Sequence, residues 1–217
     1  MKRGIFITLE GADGCGKSTQ APGLARFLRS FGRPVIHTRE PGGSPFAENL
    51  RRIILDPNME IEPMAELMLY EAARAQHTAA ILAPALKKGA LVLCERYVDA
   101  TVAYQGYGRR LDLKMISKLN ALATQGLMPR LTLVLDIPLA ESLKRCNKRE
   151  GGRDRMEKAA GGLQARVIGA YRKLARQNPK RVRLISGLGS TGEVGERLQR
   201  CVGEFLRPLI SQKYRGR

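Results

Sequence analysis

Residues 4–18 read GIFITLEGADGCGKS, and the character of the chain changes in the middle of that run. The first half, residues 4–10, is a short β-type stretch with little polar alternation, the pattern of a strand covered on both faces. It stops at Gly11, and Gly11-Ala12-Asp13-Gly14-Cys15-Gly16-Lys17-Ser18 fits the spacing G-x-x-x-x-G-K-[ST]. Glycines permit backbone angles that other residues avoid, so successive N–H groups can turn inward on phosphate oxygens. A helix opening near Lys17 adds its positive end to the same point. Lys17 then reaches the β- and γ-phosphates of a nucleoside triphosphate, and Ser18 offers a hydroxyl to Mg²⁺. Gly11 through Ser18, with Thr19 behind them, are therefore the candidate triphosphate-binding residues, with ATP and Mg²⁺ as the implied ligands. Cys15 lies beside a helix N-terminus, where a thiolate is favoured, so a reactive thiol is expected there.

Outward from this loop, residues 34–38, 90–95, 131–137 and 181–186 are further runs rich in Val, Ile and Leu. Helical patterns separate them, at residues 17–30, 65–88, 113–125, 139–148, 161–178 and 191–210. Strand–helix alternation implies a parallel sheet with helices on both faces. The expected fold is thus a three-layer α/β/α P-loop NTPase with a central five-stranded parallel sheet. In such sheets the site lies beyond the carboxyl ends of the strands. The residues with chemistry follow strands as that rule demands: Gly11–Thr19, then Arg39-Glu40-Pro41-Gly42-Gly43, then Glu95-Arg96-Tyr97. The charged segment REGGRDRMEK, residues 149–158, interrupts two helical patterns. It predicts a mobile lid at about 145–160 within a single domain spanning residues 1–217.

The formal net charge is +18, with much of the excess at residues 144–158 and 213–217. Such a balance draws anions, and a polyanionic small molecule accounts for the first cluster as well as a nucleic acid would. Nucleic acid is therefore not an expected partner. No stretch is long and apolar enough to span a bilayer, and the N-terminus lacks the apolar core of a signal peptide, so a cytoplasmic location is expected. Cys15, Cys94, Cys146 and Cys201 form no C-x-x-C pair, and the only histidines are His37 and His77. That spacing supports neither a zinc site nor a disulfide framework, reduced thiols are expected, and little is left for histidine-based catalysis.

Four further segments fall in a fixed order: TREPGG at residues 38–43, LYEAARAQH at 69–77, ERY at 95–97 leading to AYQG at 103–106, and DRME at 154–157. With the loop, they closely resemble the thymidylate kinase family over essentially the whole chain. The resemblance implies transfer of the ATP γ-phosphoryl to dTMP, a P-loop kinase domain and a homodimer packed through helices. It implies that Arg96 and Arg51 hold the acceptor phosphate and that Tyr70 stacks on thymine. Arg74 would bond the base O4 and Thr101 its N3. Tyr104 would crowd the sugar 2′ position and Asp13 would meet the 3′-hydroxyl. Arg39, Pro41 and Gln105 complete the substrate set, Ser18 and Glu95 the Mg²⁺ set. An arginine-rich list makes chemical sense, because an ionised phosphate needs no strong base. Positioning and charge neutralisation dominate its transfer, and the guanidinium fork suits phosphate.

Some members of this family carry an arginine in the loop where this chain has Gly14, and others place basic residues in the lid. This chain resembles the second kind. Arg149, Arg153 or Arg155 is then expected to swing onto the transferring phosphoryl when ATP binds, joining Lys17 and Arg96 as a catalytic residue, and Arg145 or Arg149 stacks on adenine. Other departures are Glu95 for the usual aspartate, Ala100 for a frequent serine, and Ser186-Gly187 for an acidic pair. The rival reading is a deoxynucleoside kinase, with Glu40 as base toward a 5′-hydroxyl. Arg51 would be surplus in such an enzyme. A nucleic-acid-dependent ATPase would need an acidic hydrolytic pair at a strand end, and residues 131–137 and 90–95 do not end that way.

Overall fold

A computed structural model describes residues 4–148, 155–158 and 161–211. Five strands, β1 (Ile5–Glu10), β2 (Val35–Arg39), β3 (Leu91–Glu95), β4 (Leu131–Asp136) and β5 (Val182–Ser186), form one sheet in the order β2-β3-β1-β4-β5. Every pairing is parallel, with Ile7 opposite both Leu93 and Leu131. β1 therefore sits in the centre. The chain travels to one side of it through β2 and β3, and to the other through β4 and β5. The loop after β1 lies where those directions diverge, the place such sheets reserve for ligands.

Ten helices surround the sheet among the described residues. Alternate β1 residues Ile5, Ile7 and Leu9 face a cluster built by Leu24 and Leu28 of α1 (Lys17–Arg29) and by Val194, Leu198, Val202 and Leu206 of α10 (Thr191–Ser211). Four-residue spacing puts that α10 set on one stripe, as an amphipathic helix requires. The opposite face is covered by two clusters. Phe6 and Val92 meet Leu82 and Tyr97, while Val134 meets Val167, Tyr171 and Leu174 of α9 (Gly161–Gln177). The three-layer parallel architecture read from the strand–helix alternation is the one observed.

Three elements differ from that reading. The pattern at residues 65–88 is not one helix. α3 (Pro63–His77) passes into a π-helical segment, Thr78–Leu82, and then α4 (Ala83–Lys87). Pro84 has no N–H and its ring would strike the carbonyl four residues back, a conflict that wider winding relieves. α2 (Pro45–Leu55) occupies a stretch for which the sequence reading offered no helix. Ser44 caps it, its Oγ accepting from Ala47 N at 3.3 Å, and Pro45 fills the first turn. A short α5 (Val98–Thr101) and a second π segment, Val102–Gly108, carry the AYQG residues. α6 (Leu113–Thr124), α7 (Leu139–Asn147) and α8 (Arg155–Lys158) complete the set.

Candidate active site

A cleft of about 410 Å³ opens at the carboxyl end of the sheet, between the loop, α2, α3, the AYQG segment and the start of α10. Gly16 enters α1 at φ +96, a left-handed geometry that suits glycine. Lys17 Nζ donates to the carbonyls of Gly11 (2.9 Å) and Ala12 (3.0 Å). Ser18 Oγ donates to Glu95 Oε2 at 2.9 Å, and the other oxygen of Glu95 lies 3.0 Å from His37 Nε2. Burial would push the Glu95 carboxyl up. The bonds from His37 and Ser18 and the charges of His37 and Lys17 outweigh it and hold the group below its ordinary value. Two hard oxygen donors, one hydroxyl and one ionised carboxylate, thus meet beside the phosphate loop, a donor set that fits Mg²⁺.

The reactive-thiol expectation for Cys15 needs correction. The thiol is 1 % exposed and belongs to the apolar cluster between β1, α1 and α10. The loop turns its side chain into the core, whereas the sequence shows only its nearness to a helix end.

Arg96 joins the two halves of the cleft. Its backbone adopts φ +67, and its guanidinium donates to Gly11 O (3.1 Å), to Asp13 and to Tyr104 Oη (3.1 Å). The same guanidinium lies 4.7 Å from the Tyr104 ring centre, close enough for a cation–π contact. Asp13 also accepts from Tyr104 (2.9 Å) and Gln164 (2.7 Å). Burial opposes its charge, but Arg96 and Lys17, with the two side-chain bonds, hold the carboxyl below its usual range. The result is a fixed carboxylate and a fixed guanidinium at the loop's inner edge.

Arg74, which also lines the cleft, is 2 % exposed. Nε donates to Glu40 (2.8 Å), and Nη1 contacts Glu71 (2.8 Å), Thr101 (2.7 Å) and Asn120 (2.7 Å). Nη2 donates to Tyr97 O at 3.1 Å. Glu40 spends its second oxygen on His77 Nδ1 at 2.9 Å. With both oxygens engaged, Glu40 is a structural anion rather than a base for a hydroxyl. Tyr70, Thr101, Tyr104, Gln105, Pro41, Arg39 and Arg51 all line the cleft. Arg51 donates to Pro41 O at 2.9 Å, while Arg39 pairs with Glu48 at 3.1 Å. Burial and the neighbouring Arg39 charge lower the Arg51 pKa, as expected of a site short of anions.

Arg145, also lining the cleft, is held by Glu141 (2.6 Å) and Gly187 O (3.2 Å). Of the three arginines expected to act from a lid, Arg149 and Arg153 lie outside the described residues. Arg155 is engaged by α2 and α3. It pairs with Glu66 at 2.7 Å, donates to Ile54 O at 2.8 Å and is 10 % exposed. Glu66, fully buried, also accepts from Gln105 (2.9 Å) and Arg109 (2.9 Å). Glu66, Asn120 and Gln164 are site-building residues that motif reading missed. Their partners come from distant elements, so no local spacing marks them.

A parallel sheet in this order, with a triphosphate loop facing an arginine-lined acceptor cleft, defines a P-loop nucleotide kinase. The thymidylate kinase family model matches residues 9–198, and the chain belongs to that family. It is 47 % identical over 202 residues to the thymidylate kinase of Syntrophotalea carbinolica, covering 89 % of this chain and 93 % of the relative. It is 49 % identical over 190 residues to that of Geotalea uraniireducens, covering 85 % and 89 %. The crystal structure of thymidylate kinase from Ehrlichia chaffeensis superposes with a TM-score of 0.74 at 29 % identity, covering 92 % of this chain and 99 % of that one.

Proposed function

We propose that this chain transfers the γ-phosphoryl of ATP to dTMP, giving dTDP and ADP. The observation that carries the reading is the placement of Arg96. It touches the loop carbonyl of Gly11, the Asp13 carboxylate and Tyr104 at once, where a donor on the loop and a phosphate in the cleft would meet. Arg96 and Arg51 hold the acceptor phosphate, Tyr70 stacks on the base, and Arg74 with Thr101 reads its edge. Tyr104 closes the space beside the sugar 2′ carbon, and Asp13 takes the 3′-hydroxyl. Ser18 and Glu95 hold Mg²⁺, which when bound neutralises charge on the β- and γ-phosphates. Lys17 shares that work from the loop. No side chain need take a proton, because the acceptor oxygen arrives ionised.

The rival substrate, thymidine, is not favoured. It needs a free carboxylate near its 5′-hydroxyl, and Glu40 is committed to Arg74 and His77. Coupled ADP release with ATP and Mg²⁺ separates the two. Turnover is expected with dTMP, with thymidine lower by about 10³-fold or more in kcat/KM, since an acceptor lacking the group the site binds loses on that scale. Equal rates would overturn the reading.

Residues 1–217 are proposed to form one kinase domain with a lid at about 145–160, in a cytoplasmic homodimer. No described helix is long and apolar enough to cross a membrane. Met64 and Met68 of α3 and Leu122 of α6 are exposed apolar residues that suit a helix-packed dimer.

With Arg155 committed to Glu66, we assign the charge at the transferring phosphoryl to Arg149 or Arg153. Arg149→Ala or Arg153→Ala is expected to lower kcat by about 10²-fold with little change in KM, the pattern of an interaction made only in the transition state. Arg155→Ala should act less on kcat than on the folding of the α8 region. Wild-type kcat in both of the first two variants would remove the lid from the mechanism.

A further inference from the structure

Glu10 is the last residue of β1, fully buried directly before the phosphate loop. One carboxylate oxygen accepts from the backbone N–H of Tyr97 at 2.7 Å, the other from Tyr171 Oη on α9 at 2.8 Å. Tyr97 follows Arg96, one of three non-glycine residues at positive φ among those described. A bulky residue holds that conformation only when its surroundings fix it. They do so here from both sides: Arg96 N donates to Leu9 O at 3.0 Å, and the next N–H is taken by Glu10. Without the second bond the turn can relax toward ordinary angles, carrying the guanidinium away from Gly11 O and Asp13.

We infer that Glu10 is a positioning residue for the acceptor phosphate, fixing the left-handed turn of Arg96 through the Tyr97 N–H and tying that turn to α9 through Tyr171. The inference rests on the reading of Arg96 as an acceptor-phosphate arginine.

The charges around Glu10 make the role testable by pH. Asp99 of α5 faces it and is itself held by Arg181 (2.6 Å) and Thr132 of β4 (3.1 Å). Tyr171 faces it from α9, and Arg96 from the β3–α5 turn. Burial, reinforced by Asp99, raises the Glu10 carboxyl to about 7, and the bonds from Tyr171 and Tyr97 with the charge of Arg96 only partly oppose this. Ionised Glu10 accepts two strong bonds. Protonated, it must donate one of them and grips Tyr97 N–H less well. The sign for stability is the reverse of that for function. An acid whose folded pKa lies above its unfolded value destabilises the fold once pH passes the unfolded value, fully so above the folded one.

The experiment is steady-state kinetics from pH 5.5 to 9 on the wild type, Glu10→Gln, Tyr171→Phe and Arg96→Ala, with thermal melts on each. Glu10→Gln is expected to raise KM for dTMP about 10-fold at pH 8 and change KM for ATP less than about 2-fold, the loss of one charge-assisted bond. The wild-type to Glu10→Gln ratio of kcat/KM should shrink toward pH 6. The second ionisation of the acceptor phosphate, near 6, is common to both enzymes and cancels in that ratio. Glu10→Gln should melt above the wild type at pH 8 and level with it at pH 5. Tyr171→Phe should move the wild-type pH limb upward, because it removes a bond to the charged form. A pH-independent ratio, or equal rises in both KM values, would overturn the inference. If Arg96→Ala leaves KM for dTMP unchanged, the reading beneath it fails instead.

Discussion

Replacing Arg96 by alanine is expected to lower kcat/KM for dTMP by about 10³-fold. A phosphate held by this guanidinium gains a bidentate, charge-assisted contact, each bond contributing about 1.5–3 kcal/mol. Two such bonds give about 4 kcal/mol, which is three decades in rate. Arg96→Lys should recover little, because an ammonium cannot span Gly11 O, Asp13 and the phosphate with one planar fork. The loss reaches the free enzyme as well. Asp13 sits below its ordinary 3.8 despite burial, with Arg96 the largest cause lowering it. A depressed carboxyl stabilises the fold above its unfolded pKa and loses that contribution as pH falls through the folded one. The melting temperature of Arg96→Ala should therefore trail the wild type most at pH 7, the gap closing toward pH 3. Kinetics with dTMP and ATP varied separately, and melts across that range, check both. A KM for dTMP within about 3-fold of wild type at full kcat would refute the assignment.

The halves of this site differ in how far sequence reveals them, and distance along the chain explains why. The loop is legible because its chemistry is local: a strand, fixed glycine spacing, a lysine and a helix start fall within Ile5–Arg29. The parallel sheet is legible because strands covered on both faces leave continuous apolar runs. The acceptor wall is another matter. Arg74 meets Glu40 across 34 residues, and Glu10 meets Tyr171 across 161. Buried acids such as Glu66 look like ordinary helix charges until their partners are known. Motif resemblance supplied the acceptor and the residue roles, while physical reading of the residues alone reached only a triphosphate and an anionic partner. α2 escaped because its cap and proline follow a glycine turn directly, with few buried apolar positions. Cys15 was misjudged because spacing says nothing about which way a loop side chain faces.

Placing an arginine at position 14 tests whether the loop and the proposed lid are interchangeable sources of charge. Gly14 takes φ +74, and a Cβ there would lie 2.6 Å from Ser142 O and 3.1 Å from Cys146 Sγ. Both belong to α7, whose Ser142 Oγ donates to Asp13 O at 2.7 Å. The backbone of α7 cannot yield without breaking that bond and displacing Asp13, the partner of Arg96. Gly14→Arg should thus cost about 2–4 kcal/mol of stability, from strain at positive φ and overpacking together. For a chain of this size that is a fall in melting temperature of roughly 5–15 °C. A one-ångström shift of reacting groups costs about 10²-fold, and the loop and Arg96 move together here, so kcat/KM for ATP should fall by about 10³-fold. Gly14→Ala, which adds the Cβ without the charge, should share most of the loss. Combining Gly14→Arg with Arg149→Ala or Arg153→Ala should restore nothing, because α7 fills the space from which a loop arginine would reach the phosphoryl group. Recovery of kcat in either double variant would show that the loop can carry the charge and that packing by α7 does not dictate its proposed place in the lid.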